Sequence, residues 1–281
     1  EMCIRDRKIQ CVIAGYCAVD LSFEITWKII KKYQERNDML RLIITALFLV
    51  VFFIFSIPMF GILWIIGKFN KPKKDILALR IVQWAFKVIR FLCGVKTTVI
   101  GYENIPKDEP VLFVGNHNSN FDTIIVYSML PGLTGFVAKK EMEKIPLLHH
   151  WMKLLYCLFL DRKNIKEGLK TVLQGIEYIK NGISITIFPE GTRSRTGEMA
   201  PFKEGSLKFA EKTGCKIIPV VQNNTRQIME AHSPFIRKTH TVLEFGEPID
   251  VKSLDKEQKK FLGAYTQEII QKIYDKNKAL V

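Results

Sequence analysis

The chain has 281 residues, of which 48% are hydrophobic and 25% are charged, so it can bury a sizeable core and is not globally disordered. Its 42 Lys and Arg residues outnumber 28 Asp and Glu residues, which gives a formal net charge of +14 at pH 7. Such a surplus favours an anionic partner: a nucleic acid, an anionic lipid surface or an acidic carrier. The six cysteines form no CxxC pair and have no zinc-ligand spacing with histidine, so we expect reduced thiols.

Three zones follow one another along the chain. We expect residues 1–38 to be a non-native or extension segment without a functional role, because they match no secretory signal and Met39 directly precedes a long apolar run. The alternative is a genuine short helical extension. Residues 39–95 are predicted to form an N-terminal membrane anchor of two helices. Residues 96–281 are predicted to form one globular domain.

The predicted anchor begins with residues 42–66, which contain no charged side chain. As a helix this run is about 37 Å long, more than the roughly 30 Å hydrocarbon core of a bilayer. Pro58 and Gly61 interrupt it, so a segment within one leaflet is the alternative to a full span. Residues 76–93 mix aromatic and basic side chains, which indicates either a helix in the membrane interface or a core-facing helix with a solvated basic face. A lysine cluster between the two segments indicates the cytoplasmic side and suits anionic headgroups: Lys68, Lys71, Lys73 and Lys74.

The remaining residues alternate short β-rich runs with helical patterns. This alternation predicts the α/β class, with a mixed, largely parallel central sheet flanked by helices. We expect strands at Thr97–Gly101, Val111–Gly115, Gly135–Ala138, Cys157–Leu160, Ser184–Phe188, Ile217–Val221 and Thr241–Phe245. We expect helices at Phe121–Met129, Ile165–Lys180, Glu204–Lys212 and Asp255–Asn277. Pro219 predicts an edge position or a bulge for the sixth strand, because proline cannot donate to the ladder.

The first chemistry-bearing segment is VLFVGNHNSNFD, residues 111–122. An apolar strand ends in a polar turn, so His117 and Asp122 can come within hydrogen-bond reach. An aspartate on one ring nitrogen fixes the tautomer and leaves the other nitrogen free to take a proton. The pair predicts a general base without a nearby nucleophile. A capped turn with a structural histidine and a metal site are the alternatives.

The second segment is ISITIFPEGTRS, residues 183–194, another strand that ends in a tight polar turn. Gly191 permits close backbone approach or a positive φ, and Thr192 and Arg193 can then face a phosphate. Glu190 lies in the same turn. A structural turn with a surface arginine is the alternative, and the glycine spacing excludes a P-loop.

The third segment, GFVAKKE at residues 135–141, also ends a strand in polar residues. Lys139 or Lys140 can reach the same crevice, and we prefer Lys139; a solvated lysine pair is the alternative. Ligands of open α/β sheets bind beyond the carboxyl ends of the strands. Polar residues at three such ends therefore indicate one site.

Several motifs are absent from the sequence, and their absence leaves some classes of function without support. The sequence has no GxSxG elbow, so a serine acyl-enzyme is unsupported, and no GxGxxG, so nicotinamide binding is unsupported. No group of residues has the spacing of a metal site, and no metal is expected. Nucleic-acid binding rests on charge alone, because no base-reading or stacking motif is present, and no nucleic acid is expected.

The ordered blocks NHxxxxD, VAKKE, FPEGTR and IIPV closely resemble the PlsC-type glycerolipid acyltransferases, over roughly residues 40–250. More narrowly, the chain resembles the bacterial 1-acyl-sn-glycerol-3-phosphate acyltransferases. The resemblance implies that His117 is the general base and Asp122 its orienting partner. It implies that the acceptor phosphate is held by the turn and one lysine, with Glu190 organising the turn: Gly191, Thr192, Arg193 and Lys139.

The resemblance also implies the reaction and the partners. A fatty acyl group would pass from acyl-CoA or acyl-ACP, as co-substrate, to the sn-2 hydroxyl of lysophosphatidic acid, giving phosphatidic acid without a cofactor. Residues 96–281 would then be the acyltransferase domain, at the cytoplasmic face of the cell membrane and against its anionic surface. The alternatives are a glycerol-3-phosphate or other lysophospholipid acyltransferase of the same superfamily, and a catalytically silent membrane-surface binding protein.

Overall fold

The computed structural model describes residues 2–194 and 196–281, with side chains from residue 31 onward except at position 204. An N-terminal helix pair precedes an α/β domain. The helices are α1 (Met2–Phe69), α2 (Lys71–Leu92), α3 (Phe121–Tyr127), α4 (Leu148–Leu154), α5 (Ile165–Lys180), α6 (Lys208–Thr213), α7 (Lys256–Lys260) and α8 (Leu262–Asn277). The strands are β1 (Lys96–Ile100), β2 (Leu112–Gly115), β3 (Thr134–Lys139), β4 (Leu158–Leu160), β5 (Ser184–Ile187), β6 (Ile217–Asn223) and β7 (His240–Phe245).

The helix pair α1 and α2 is a hairpin. Only Asn70 separates the two helices, and its side chain caps α2 by accepting from the backbone N–H of Lys73 at 2.9 Å. The chain therefore reverses within one residue, and α1 and α2 pack antiparallel along each other. Helix α1 continues without a break across residue 38, and the boundaries of the three predicted zones stay predictions.

One helical segment among the described residues, Lys31–Phe69, is long and apolar enough to cross a membrane. Most of its large apolar side chains are exposed, as Phe55 and Trp64 are. Phe52 and Leu63 instead turn inward and are buried in the same core as the domain. The segment thus lies alongside the domain and presents a long apolar face outward.

Helix α2 has two contrasting faces. Trp84 and Phe91 are exposed, together with the basic Arg80 and Lys87. This face has the aromatic and basic character of an interfacial helix, and a location in the membrane interface stays a prediction. The opposite face packs into the core through Ala78, Leu79, Val82, Ala85 and Ile89.

The seven strands form one sheet in the order β1-β7-β6-β2-β5-β3-β4. Every neighbouring pair is parallel except β6 and β7. Helices α2, α3 and α4 cover one face, with α1 packed outside them, and α5, α6 and α8 cover the other. The predicted α/β class with a mixed, largely parallel sheet is confirmed, and all seven predicted strands are present within one or two residues of their predicted bounds.

Pro219 lies in β6, which is a central strand, so the predicted edge position is wrong. The alternative of a bulge agrees with the pairing to β7. Val220 pairs with Phe245 and Ile217 with Ile249, so two residues on one side face three on the other. The ladder is locally irregular where the proline lacks its N–H, and this irregularity accommodates it inside the sheet.

Helix ends explain the remaining differences from the sequence prediction. Gly182 and Gly214 follow α5 and α6 with φ of +82° and +69°, as expected of helix-terminating glycines. The predicted last helix begins at the capping box of Asp255 and Gln258 and is divided at Phe261, whose φ of −117° and ψ of +42° are not helical. Helix α4 was not among the predicted helices; its burial of Trp151 against α1 supplies a tertiary stabilisation that local patterns do not show.

Replacing Trp151 by alanine should destabilise the protein by about 3–5 kcal/mol, because this buried side chain links α4 to α1. Its Nε1 donates to Ser56 Oγ at 2.8 Å, and its ring lies 5.7 Å from that of Phe52 and 5.0 Å from that of Phe60. Thermal unfolding in mild detergent measures the loss. Trp84→Ala, at a 53% exposed position, is the matched control and should cost much less. Equal losses in the two variants would contradict this packing role.

Candidate active site

The sheet brings the three predicted segments to one edge. Strands β2 and β5 are parallel neighbours, and β3 lies on the far side of β5 in the same direction. Their carboxyl ends therefore carry the turns after Gly115, Ile187 and Lys139 at the same side of the domain. This is the edge at which ligands of open α/β sheets bind.

The carboxylate of Asp122 is fully buried in the first turn of α3 and receives four hydrogen bonds. One oxygen accepts from the backbone N–H groups of Asn118 and Ser119, both at 2.7 Å, and from Nδ1 of His117 at 2.8 Å. The other accepts from the Thr225 hydroxyl at 2.6 Å. These contacts fix the carboxylate, so the predicted proximity of His117 and Asp122 is present in the structure.

The imidazole of His117 is held on two sides. Its ring stacks on that of Phe188, with centroids 4.4 Å apart and planes at 8°. Because Nδ1 is bonded to the Asp122 carboxylate, the carboxylate favours the tautomer with the proton on Nδ1. Nε2 is then the nitrogen available to take a proton, and the side chain remains 20% exposed.

The turn after β5 also clamps the backbone of His117. The buried Glu190 accepts from the His117 N–H at 2.7 Å and from the Ala200 N–H at 3.0 Å. The backbone N–H of Ser194 donates to the His117 carbonyl at 2.8 Å. The two predicted motifs therefore form one unit. Burial raises the pKa of the Glu190 carboxyl, against the lowering effect of these N–H donors.

Cationic side chains surround the glycine of the turn. Gly191 has a φ of +76°, the left-handed conformation that favours glycine. A Cβ at this position would lie 3.1 Å from Lys203 Nζ and 3.2 Å from a guanidinium nitrogen of Arg162, so only glycine leaves this space open. Thr192 and Arg193 follow with exposed side chains. The turn is thus a cradle suited to an anion.

Glu230 links Arg193 to the histidine loop. Its carboxylate accepts from Ser119 Oγ at 2.6 Å and from the backbone N–H of Asn120 at 2.8 Å. The Arg193 guanidinium donates to the same carboxylate at 3.2 Å while remaining 44% exposed. The arginine is therefore positioned beside the His117 loop and still accessible to a ligand.

The two candidate lysines differ in their partners. Lys140 lies 3.2 Å from the Asp161 carboxylate, an ion pair that occupies it. Lys139 is the last residue of β3 and makes no ion pair with any described side chain. Of the two, Lys139 is therefore the lysine without a carboxylate partner at this edge, and its role in binding a ligand stays a prediction.

Sequence reasoning missed several residues of this site. Thr225 and Glu230 follow β6 and are more than 100 residues from the loop they contact, so no local pattern pointed to them. Arg162 is the second residue after β4, and the rule of polar residues at strand ends would have found it. Among the described side chains, no group of three or more His, Cys, Asp or Glu residues is placed to hold a metal ion.

Replacing Glu190 by glutamine should change how stability depends on pH. A carboxyl whose pKa is raised by burial binds its proton more tightly in the folded than in the unfolded chain. The stability that this carboxyl contributes is therefore fully present at pH values below the ordinary carboxyl pKa. It is lost as the pH rises through the pKa of the folded protein. Glutamine does not titrate, so the melting temperature of the parent minus that of Glu190→Gln should fall as the pH rises above the ordinary carboxyl range.

The control for this experiment is Glu177→Gln, which changes a 62% exposed carboxylate on α5. Its melting temperature should follow that of the parent much more closely across the same pH range. A difference between parent and Glu190→Gln that grows with pH would contradict the burial effect.

Comparisons with known proteins agree with this geometry. The family model Acyltransferase matches residues 96–223. A 1-acyl-sn-glycerol-3-phosphate acyltransferase of Borreliella burgdorferi is 31% identical over 196 residues, which cover 70% of this chain and 78% of that protein. The enzyme of the same name from Haemophilus influenzae is 30% identical over 231 residues, covering 80% and 92%.

A solved structure shares most of this architecture. The crystal structure of PlsC from Thermotoga maritima, a 1-acyl-sn-glycerophosphate acyltransferase, matches with a TM-score of 0.74 and 25% identity. The match covers 88% of this chain and 99% of that one. Together with the four sequence blocks, three of which end at the same edge of the sheet, these similarities show that the chain belongs to the PlsC-type glycerolipid acyltransferase family and is an acyltransferase.

Proposed function

We propose that this enzyme transfers a fatty acyl group from an acyl thioester to the sn-2 hydroxyl of 1-acylglycerol-3-phosphate and releases phosphatidic acid. The observation that carries the proposal is the union of the His117–Asp122 pair with a cationic turn that binds its backbone. One group can accept a proton and the other can hold a phosphate. The names of the relatives supply the acceptor.

His117 acts as the general base. Its Nε2 takes the proton from the acceptor hydroxyl while the oxygen attacks the thioester carbonyl carbon. The new C–O bond forms, the C–S bond breaks, and the departing sulfur recovers the proton from Nε2. Asp122 stabilises the intervening imidazolium. The transfer is direct because no nucleophilic side chain is hydrogen-bonded to the described His117 ring.

The acceptor phosphate lies in the turn after β5. Arg193 offers a guanidinium fork, while the Gly191 and Thr192 backbone approaches closely because the glycine has no side chain. The phosphate competes with Glu230 for Arg193. Glu190 acts indirectly, by fixing the turn to His117. Further positive charge comes from Lys139, Arg162 and Lys203.

The acyl donor is a thioester of coenzyme A or of acyl carrier protein. Both carriers are anionic, and the chain has a net charge of +14. The thioester itself supplies the activated acyl group, so the reaction needs no cofactor.

The exposed apolar face of α1 holds the enzyme at the membrane. Contacts to the domain run along this helix from Asp38, whose carboxylate accepts from Arg237 Nε at 3.2 Å, to Phe60, whose ring lies 5.0 Å from that of Trp151. The packing of this helix along its own domain supports a position within one leaflet, and the lysines of the α1–α2 hairpin support a domain on the cytoplasmic side. A lipid acceptor then reaches the site from the same leaflet.

His117→Ala should lower the turnover of lysophosphatidic acid by about 10²–10⁴-fold, the usual contribution of a positioned base. Both acyl-CoA and acyl-ACP are supplied, and release of the free thiol is measured. Glycerol-3-phosphate and lysophosphatidylethanolamine, assayed in parallel, test the alternative acceptors. The matched control is His240→Ala, at an exposed position on β7. His117→Ala should still float with lipid vesicles, as the parent does. Near-normal turnover of lysophosphatidic acid by His117→Ala would refute the role of His117 as the general base.

Arg193→Ala should chiefly raise the KM for lysophosphatidic acid, by about 10-fold or more, because a charge-assisted hydrogen bond contributes about 1.5–3 kcal/mol. Initial rates over a range of acceptor concentrations separate KM from kcat. Lys272→Ala removes an exposed cation on α8 and should leave KM unchanged. If KM for the acceptor were the same in Arg193→Ala, the arginine would have no role in holding the phosphate.

A further inference from the structure

A cavity of about 610 Å³ lies between α2, the end of α3 and the turn after β1. We call it the α2 groove. Three of its lining residues belong to α2, and four follow α3 directly along the chain. The lining residues are Arg80, Gln83, Lys87, Val99, Tyr102, Glu103, Ser128, Met129, Leu130 and Pro131.

The α2 groove is at the opposite end of the sheet from His117. Helix α3 begins beside the histidine loop and runs away from it, so residues 128–131 lie past its far end. Strand β1 is parallel to β7, which is antiparallel to β6 and hence to β2. Tyr102 and Glu103, which follow β1, therefore lie at the edge where β2 begins. The groove is separate from the catalytic crevice.

The charged residues of the groove suit a phosphate. Arg80 and Lys87 are exposed, two turns apart on α2, and neither forms an ion pair with any described carboxylate. Hydrogen bonds of Gln83 join Arg80 to the chain segment after α3. The Gln83 side chain accepts from Arg80 at 2.8 Å and donates to the carbonyls of Tyr127 and Leu130 at 3.2 and 2.7 Å. The cations are therefore available and their backbone is fixed.

The surroundings of the groove are those of a membrane interface. Trp84 lies one turn from both Arg80 and Lys87 on the exposed face of α2, and Phe91, 82% exposed, continues that face. The ring of Phe48 on α1 meets that of Trp84 at 6.0 Å, so the exposed apolar face of α1 adjoins this region. A lipid whose headgroup enters the groove can lay its chains along this apolar surface.

We infer that the α2 groove binds the headgroup of an anionic membrane phospholipid, with the phosphate on Arg80 and Lys87. Glu103, the one carboxylate in the lining, accepts from a headgroup hydroxyl, which favours a headgroup such as phosphoglycerol over phosphocholine. The bound lipid does not react, because the groove is remote from His117. It fixes the domain against the leaflet in which α1 lies.

The test is binding of dihexanoylphosphatidylglycerol, below its micelle concentration, to the full chain in mild detergent by isothermal calorimetry. All variants carry Arg193→Ala, so that the catalytic cradle contributes little. The parent should bind this lipid saturably and bind dihexanoylphosphatidylcholine, inorganic phosphate and glycerol-3-phosphate at least about 10-fold more weakly. Equal binding of inorganic phosphate would show a simple anion site and overturn the lipid assignment.

Two variants locate the site. Arg80→Gln/Lys87→Gln removes both cations, and Val99→Trp fills the groove without a change of charge; each should weaken binding by about 10-fold or more. The control Lys259→Gln/Lys272→Gln removes the same charge from exposed positions on α7 and α8 and should bind like the parent. Melting curves verify that each variant is folded.

The outcomes separate this site from the catalytic proposal. Parent-like affinity in both groove variants would overturn the inference. Weakening by the charge change but not by Val99→Trp would show diffuse attraction and would overturn it too. Binding does not require turnover, so His117→Ala should bind the lipid as the parent does, whatever its activity.

Discussion

The Asp122 carboxylate is the point on which the site depends. It is fully buried, and an ionised carboxylate in such a position is tolerated only when hydrogen bonds replace its water. Two backbone N–H groups, a threonine hydroxyl and the His117 ring supply those bonds. The same contacts shape the loop after β2 and set the start of α3. The orientation of the imidazole therefore follows from how the protein satisfies one buried charge.

A second buried carboxylate joins the base to the phosphate cradle. Glu190 binds the backbone of His117 from the neighbouring strand end, and Ser194 closes the clamp from the other side. Since β2 and β5 are adjacent and parallel, these contacts need no long loops. In the proposed function, a single rigid unit holds the reacting hydroxyl and the charged end of one lipid, and α1 presents its exposed apolar face to the membrane.

Much of this arrangement was predictable because its determinants are local. The strands follow from short apolar runs, and the His117–Asp122 pair follows from a spacing of five residues across one turn. Thr225 and Glu230 were not predictable, since their contacts depend on how β6 is placed in the sheet. The edge position predicted from Pro219 was wrong for the same reason. Local rules assign proline to an edge strand, but the pairing of β6 accommodates it in a central strand. The α2 groove arises only where three separate segments of the chain meet.

The tautomer of His117 tests the account most directly. Nitrogen chemical shifts of ¹⁵N-labelled histidine report which ring nitrogen carries the proton, and the loss of one signal in His117→Ala assigns it among the five histidines. In the neutral ring, we expect the proton on Nδ1, bonded to Asp122, and a bare Nε2. A neutral ring protonated on Nε2 would leave no base facing the acceptor and would contradict the central claim.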